Sequence, residues 1–138
     1  KKQFNLIYKA SRDGFTTDIF HEKCDNKGPT ITIIESENGC IFGEYTSISW
    51  NQNIKTLSYD DGVFLFTLKN IHNTPPTKYD IKDPYYAIWN FENIGPSFGR
   101  KYDIFIPDNF DREKSRTSFC NTYESNNEQE ELIFTGDE

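Results

Sequence analysis

Short apolar runs rich in Ile, Thr, Phe and Tyr, each cut off by a glycine-centred turn, constrain this chain more than any other feature. The turns are Arg12-Asp13-Gly14-Phe15, Lys27-Gly28-Pro29-Thr30, Phe42-Gly43-Glu44-Tyr45 and Gly95-Pro96-Ser97-Phe98-Gly99. β-branched and aromatic residues suit a pleated, half-buried strand better than a helix. Runs of this length, separated by turn chemistry, point to a two-sheet antiparallel β-sandwich with a few short flanking helices, a mostly-β (α+β) fold. With 12 Phe and 8 Tyr but no Met, the expected core is aromatic.

The runs can be placed one by one. Residues 4–9 alternate loosely and read as a strand. Thr16 or Thr17 is positioned to cap a helix of about ten residues, with Asp18 in its first turn, Phe15/Ile19 and Phe20/Cys24 four apart on its apolar face, and Gly28-Pro29 after it. Residues 30–35 and 40–46 read as a hairpin across Glu37-Asn38-Gly39. Asp60-Asp61-Gly62 turns the chain into residues 63–68, a nearly continuous apolar run that reads as a central strand buried on both faces. Residues 85–91 and 102–106 read as further strands, and residues 118–124 and 132–135 as weaker ones. All 138 residues fit one domain, which lacks an initiator Met and reads as a piece of a longer protein.

Charge and cysteine usage narrow the class. The net charge is −7, and from residue 117 onward there are six acidic residues and no Lys or Arg. An acidic end argues against nucleic acid and anionic membrane as partners. No apolar run reaches the ~18 residues that crossing a bilayer requires. Three cysteines (Cys24, Cys40 and Cys120) form no close pair, which fits free thiols in a reducing, cytoplasmic setting rather than a disulfide framework.

Chemistry is hard to assemble from these residues. His21 and Cys24 lie three apart on the expected helix, but Cys24 falls on its apolar face. No C-x-x-C pair nucleates a zinc site from His21, Cys24, Cys40 and Cys120. The Asp108-Asn109-Phe110-Asp111 segment lacks the acidic spacing of a calcium loop and reads as a turn after a strand. Asp60 and Asp61, being adjacent, point apart. Ser97 sits between Pro96 and Phe98 with no downstream His, so Gly95 and Gly99 are expected to serve backbone geometry there. No catalytic residue, cofactor or metal is implied.

Taken in order, the blocks resemble a TLDc domain. The opening Phe4-Asn5-Leu6-Ile7-Tyr8-Lys9-Ala10-Ser11-Arg12-Asp13-Gly14-Phe15 is similar to that family's start. Phe20-His21-Glu22-Lys23-Cys24, Ile41-Phe42-Gly43-Glu44-Tyr45-Thr46-Ser47 with Trp50, Phe64-Leu65-Phe66-Thr67-Leu68 and Gly95-Pro96-Ser97-Phe98-Gly99 follow in the family's order. The resemblance implies a β-sandwich and a non-catalytic interaction domain. It implies a group tied to oxidative-stress resistance, some of whose members regulate the vacuolar proton-pumping ATPase, whose subunits are then the expected protein partners. Two alternatives stay open: a peptide-binding adaptor attached to a BTB, RING or coiled-coil region, and a thiol-dependent antioxidant enzyme using Cys24, Cys40 or Cys120. The family's closing strand is expected after Gly136 and is missing here, so an exposed sheet edge and a homodimer are expected. The candidate interaction surface is the polar set around the turns: Arg12, Asp13, Glu44, Arg100 and Lys101.

Overall fold

The computed structural model of the chain describes residues 1–118, 122–124 and 134. The expected hairpin forms as β1 (Thr30–Glu35) and β2 (Ile41–Thr46), paired antiparallel from Thr30↔Thr46 to Glu35↔Ile41. Strands β4 (Phe64–Lys69) and β5 (Thr77–Asp80) extend it into a four-stranded antiparallel sheet of order β1-β2-β4-β5. The second layer holds two short antiparallel pairs. One is β3 (Thr56–Ser58) with β6 (Ile88–Asn90), and the other is β7 (Ile104–Phe105) with β8 (Arg116–Thr117). Phe98 bridges Ile88 on one pair and Ile104 on the other, which joins them. The mostly-β antiparallel class is therefore as expected.

Period-two alternation sorts the first sheet into two faces. Register aligns Thr32, Glu44, Leu65 and Tyr79 in one inward row, with Phe42 and Thr67 in the next. These meet Trp50, Ile88, Phe98 and Ile104 in the core. Trp50 lies edge-on to both Phe20 and Phe98, at 5.4 Å between ring centres in each case, and its indole N–H donates to Thr30 Oγ1 at 3.2 Å. Phe134 packs on Phe42 and Tyr79, so the core is as aromatic as the composition suggests.

Helix α1 (Ala10–Asp13) is a single turn, and α2 (Thr17–Cys24) is the expected helix. Its cap differs from expectation. Thr16 makes no side-chain cap bond. Asp108 does this from across the fold, accepting from the Thr17 N–H at 2.9 Å and the Thr17 hydroxyl at 3.1 Å. Those bonds at the positive end of a helix hold the Asp108 carboxyl below its usual range. The oxygen-rich segment at residues 108–111 thus has a structural use.

Four strand expectations change. Residues 4–9 form no strand, and Phe4 and Leu6 are 71% and 68% exposed. Only Tyr8 reaches inward, edge-on to Phe20, with its hydroxyl bonded to the Gly14 carbonyl. The run at 63–68 is central in the sheet but fully buried on one face only, with Phe64 and Phe66 half-buried on the other. Residues 84–86 form a 3₁₀ turn, so the strand near 85–91 shrinks to 88–90. The strand near 102–106 shrinks to 104–105, because Tyr102 turns at φ 61°. Strand β5 was missed: Lys78 and Asp80 alternate around Tyr79, a weak signal beside two prolines. Of the weak strand candidate at 118–124, Tyr123 is described, and it bridges Ile81. Residues 119–121, 132, 133 and 135, and the region after Gly136, lie outside the described residues.

Candidate interaction surface

The surface residues chosen from sequence do not form one site. Arg12 grips Asp13 with two nitrogens at 2.7 and 2.8 Å, and the Lys9 N–H adds a third bond to the same carboxylate. Those partners hold Asp13 well below the usual carboxylate range. Arg100 and Lys101 are exposed on the loop before β7, where the Arg100 guanidinium lies over the Tyr86 ring at 4.7 Å.

Glu44 is not on the surface at all: it is 0% exposed, in the middle of the inward face. Gly43 takes the outward position on β2, so strand alternation turns the next side chain inward. Neither carboxylate oxygen makes a well-formed hydrogen bond, although the Thr32 side chain lies near enough to act on the carboxyl. Burial drives this carboxyl well above the ordinary range, and Thr32 beside it offsets only part of that push. Glu44 is enclosed in the core, where it cannot meet a partner.

The Gly95-Pro96-Ser97-Phe98-Gly99 loop has the expected backbone use. Gly99 adopts φ +83°, and a Cβ there would strike the buried Asp103 carboxylate. A Cβ on Gly95 would come within 3.0 Å of Ile106 Cγ2. Ser97 is buried, and its hydroxyl accepts from the Ile106 N–H at 2.9 Å. Asp60 and Asp61 do point apart. Asp60 is buried and accepts from the Ser47 and Gly62 N–H groups and the Ser47 hydroxyl, while Asp61 is exposed.

The potential metal and thiol groups are committed elsewhere. The His21 ring is buried, with Nδ1 at 2.8 Å from Asp25 and Nε2 at 2.9 Å from the Phe91 and Ile94 carbonyls. Among the described residues no three His, Cys, Asp or Glu side chains gather to hold a metal. Cys24 and Cys40 are free and buried, and Cys120 lies outside the described residues. Burial pushes the Cys24 thiol up to about 12, with the Asp25 charge adding to the effect. A thiol at that value is not a nucleophile at neutral pH. Cys24 and Cys40 should therefore resist a thiol reagent at pH 7.5 while the protein is folded and react fully in denaturant. Mass spectrometry of the labelled peptides reads this, and labelling of Cys24 at the rate of a free thiol would contradict it.

What sequence reasoning missed is the outer face of the four-stranded sheet. Register places Ile31, Tyr45 and Phe64 in one outward row, and Ile33, Gly43 and Phe66 in the next. Leu68 continues the face along β4. Ile31, Ile33 and Leu68 are exposed, and the rings of Tyr45, Phe64 and Phe66 are half-buried. Tyr45 stacks on Phe64 at 5.3 Å, and Phe66 closes over Gly43, within 3.0 Å of where its Cβ would be. Lys2 lies over the Tyr45 ring and Lys78 over the Phe64 ring, which gives the apolar face a basic rim. The legible signal was the unbroken Phe64-Leu65-Phe66 run, whose second apolar face is this surface. A contiguous apolar face with a polar rim is the usual form of a protein docking surface.

Among the described residues no helix is long and apolar enough to cross a membrane. A family model for the TLDc domain matches residues 1–135. Interferon-induced protein 44 of Homo sapiens is 39% identical over 51 residues, a match covering 37% of this chain and 11% of that protein. The protein of the same name from Pan troglodytes is 37% identical over 51 residues, with the same shares covered. The matched stretch spans about a tenth of the length of these curated relatives, whereas the family match runs along nearly all of the chain: this chain belongs to the TLDc domain family.

Proposed function

We propose that this domain is a non-catalytic protein-interaction module whose partner binds the outer face of the four-stranded sheet. The observation that carries this reading is the apolar face of Ile31, Ile33, Phe66 and Leu68 with Lys2 and Lys78 at its rim. Family membership adds weight, because TLDc domains are generally non-catalytic. The same membership makes subunits of the vacuolar proton-pumping ATPase the first partners to test, in a cytoplasmic protein of the oxidative-stress response. Arg12, Arg100 and Lys101 offer further polar contacts, with Asp13 fixing the Arg12 side chain.

The test is direct binding of the purified chain to purified peripheral subunits of the pump. Leu68→Lys places a charge on the exposed face without entering the core, and its melting temperature serves as the folding control. It should weaken binding at least about tenfold, the loss of one good apolar contact. A parent chain that binds no subunit, or a variant that binds as well as the parent, rejects the reading.

A further inference from the structure

We infer that β1 is the edge through which two copies of this chain pair, centred on Thr32. Strand β1 pairs with β2 and with no other strand among the described residues. Eight consecutive residues, 30–37, line an open groove bounded by residues 5–10 and 110–117. Side chains of one face alone would line such a space at every second position. A continuous run means that the strand's edge, with its backbone donors and acceptors, faces the groove.

The two edges of this sheet are treated differently. At β5, Pro75 and Pro76 precede the strand, and Lys78 and Asp80 form an ion pair on it at 3.0 Å. Its end is also covered, since Tyr123 bridges Ile81 and the Glu124 N–H donates to the Asp80 carbonyl at 2.8 Å. Those are the devices that block unwanted strand pairing. Strand β1 shares only a preceding proline, Pro29: Thr30-Ile31-Thr32-Ile33-Ile34 has no Lys and no Pro within it and no bulge against β2. Ile33 is 64% exposed beside that open edge.

The occupant is identified by complementarity of the strand with itself. In an antiparallel pair about Thr32, Ile31 lies opposite the second copy's Ile33, and Thr30 opposite its Ile34. Directly opposed residues share a face, so four isoleucines meet on the outer side. The strand is basic before its start, at Lys27, and acidic at its end, at Glu35 and Glu37, all of them exposed. An antiparallel pair brings the basic lead-in of each strand, at Lys27, to the acidic end of the other, at Glu35 and Glu37. The pairing is isologous and closes at two copies. It does not depend on whether pump subunits bind, because it is measured on the chain alone.

Sedimentation velocity of the chain across micromolar to hundreds of micromolar concentrations tests this. A concentration-dependent dimer is expected. Ile33→Lys should weaken it at least about tenfold, as loss of a central apolar contact does. Glu37→Lys and Lys27→Glu should each weaken it, and the double variant should recover the parent's affinity. Salt should weaken the parent through the screening of those pairs. A chain that stays monomeric throughout overturns the inference. So does a dimer indifferent to Ile33→Lys, or a double variant as weak as the singles.

Discussion

Gly43→Ala should destabilise the domain by about 3 kcal/mol or more, the scale of an overpacked core site whose neighbours cannot yield. A Cβ on Gly43 would land on the backbone carbonyl oxygen of Thr32 and come within 3.0 Å of the Phe66 ring. The ring can swing aside. The carbonyl cannot, because it is part of the β1–β2 ladder. Relieving the clash therefore means moving one strand from the other, next to Trp50 and Phe42 in the core. Equilibrium urea unfolding reads the change, and a loss below about 0.5 kcal/mol, the scale of an ordinary surface substitution, would show that the sheet accommodates the methyl. The same variant should impair pairing through β1, since the strand that shifts is the proposed interface.

Glu44→Met should have the opposite sign. Met is close to Glu in size, is apolar, and adapts to irregular space. It removes a carboxyl that is fully buried and makes no well-formed hydrogen bond. Removing an unsatisfied buried polar group recovers roughly 1–3 kcal/mol, worth several degrees in melting temperature for a domain of this size. The pH dependence is more diagnostic. Burial favours the protonated form of Glu44 in the folded protein. The unfolded chain releases that proton near pH ~4.3. Stability from this group is thus complete below that pH and declines as pH rises toward the folded pKa, at up to about 1.4 kcal/mol per pH unit. The variant should melt higher throughout, with the gap smallest near pH 4 and widening as the pH rises above about 5. A variant that melts below the parent at pH 8 would mean that the fold holds the ionised carboxylate after all.

These two neighbours also show what could be read from the sequence. The hairpin was legible because Thr30-Ile31-Thr32-Ile33-Ile34 and Ile41-Phe42-Gly43-Glu44-Tyr45 are short β-branched or aromatic runs around an Asn-Gly turn. The helix was legible from Phe20 and Cys24, both of which are buried. The direction in which Glu44 points was not. Along β2 both alternating sets contain large apolar residues, so period two does not say which set faces inward. Only the pairing of Gly43 with Ile33 and Phe66 decides it, and that pairing is long-range information. The proposed interaction surface was hidden for the same reason. In the 63–68 run, an apolar face covered by a second layer and one left open to a partner have the same composition. The N-terminal run misled differently: Phe4, Leu6 and Tyr8 alternate as a strand should, but no strand among the described residues offers them a ladder.

The cap that Asp108 places on α2 bears on how this chain matures. The carboxylate that satisfies the helix start lies 91 residues downstream of Thr17. While the chain is being synthesised, α2 emerges long before its cap exists. An isolated eight-residue helix is marginal in water. Residues 17–24 are therefore expected to wait as a loose segment until the loop after β7 has been made and docked. Helix α2 then commits late, together with the C-terminal part, and a chain released before Asp108 would leave that helix without its cap.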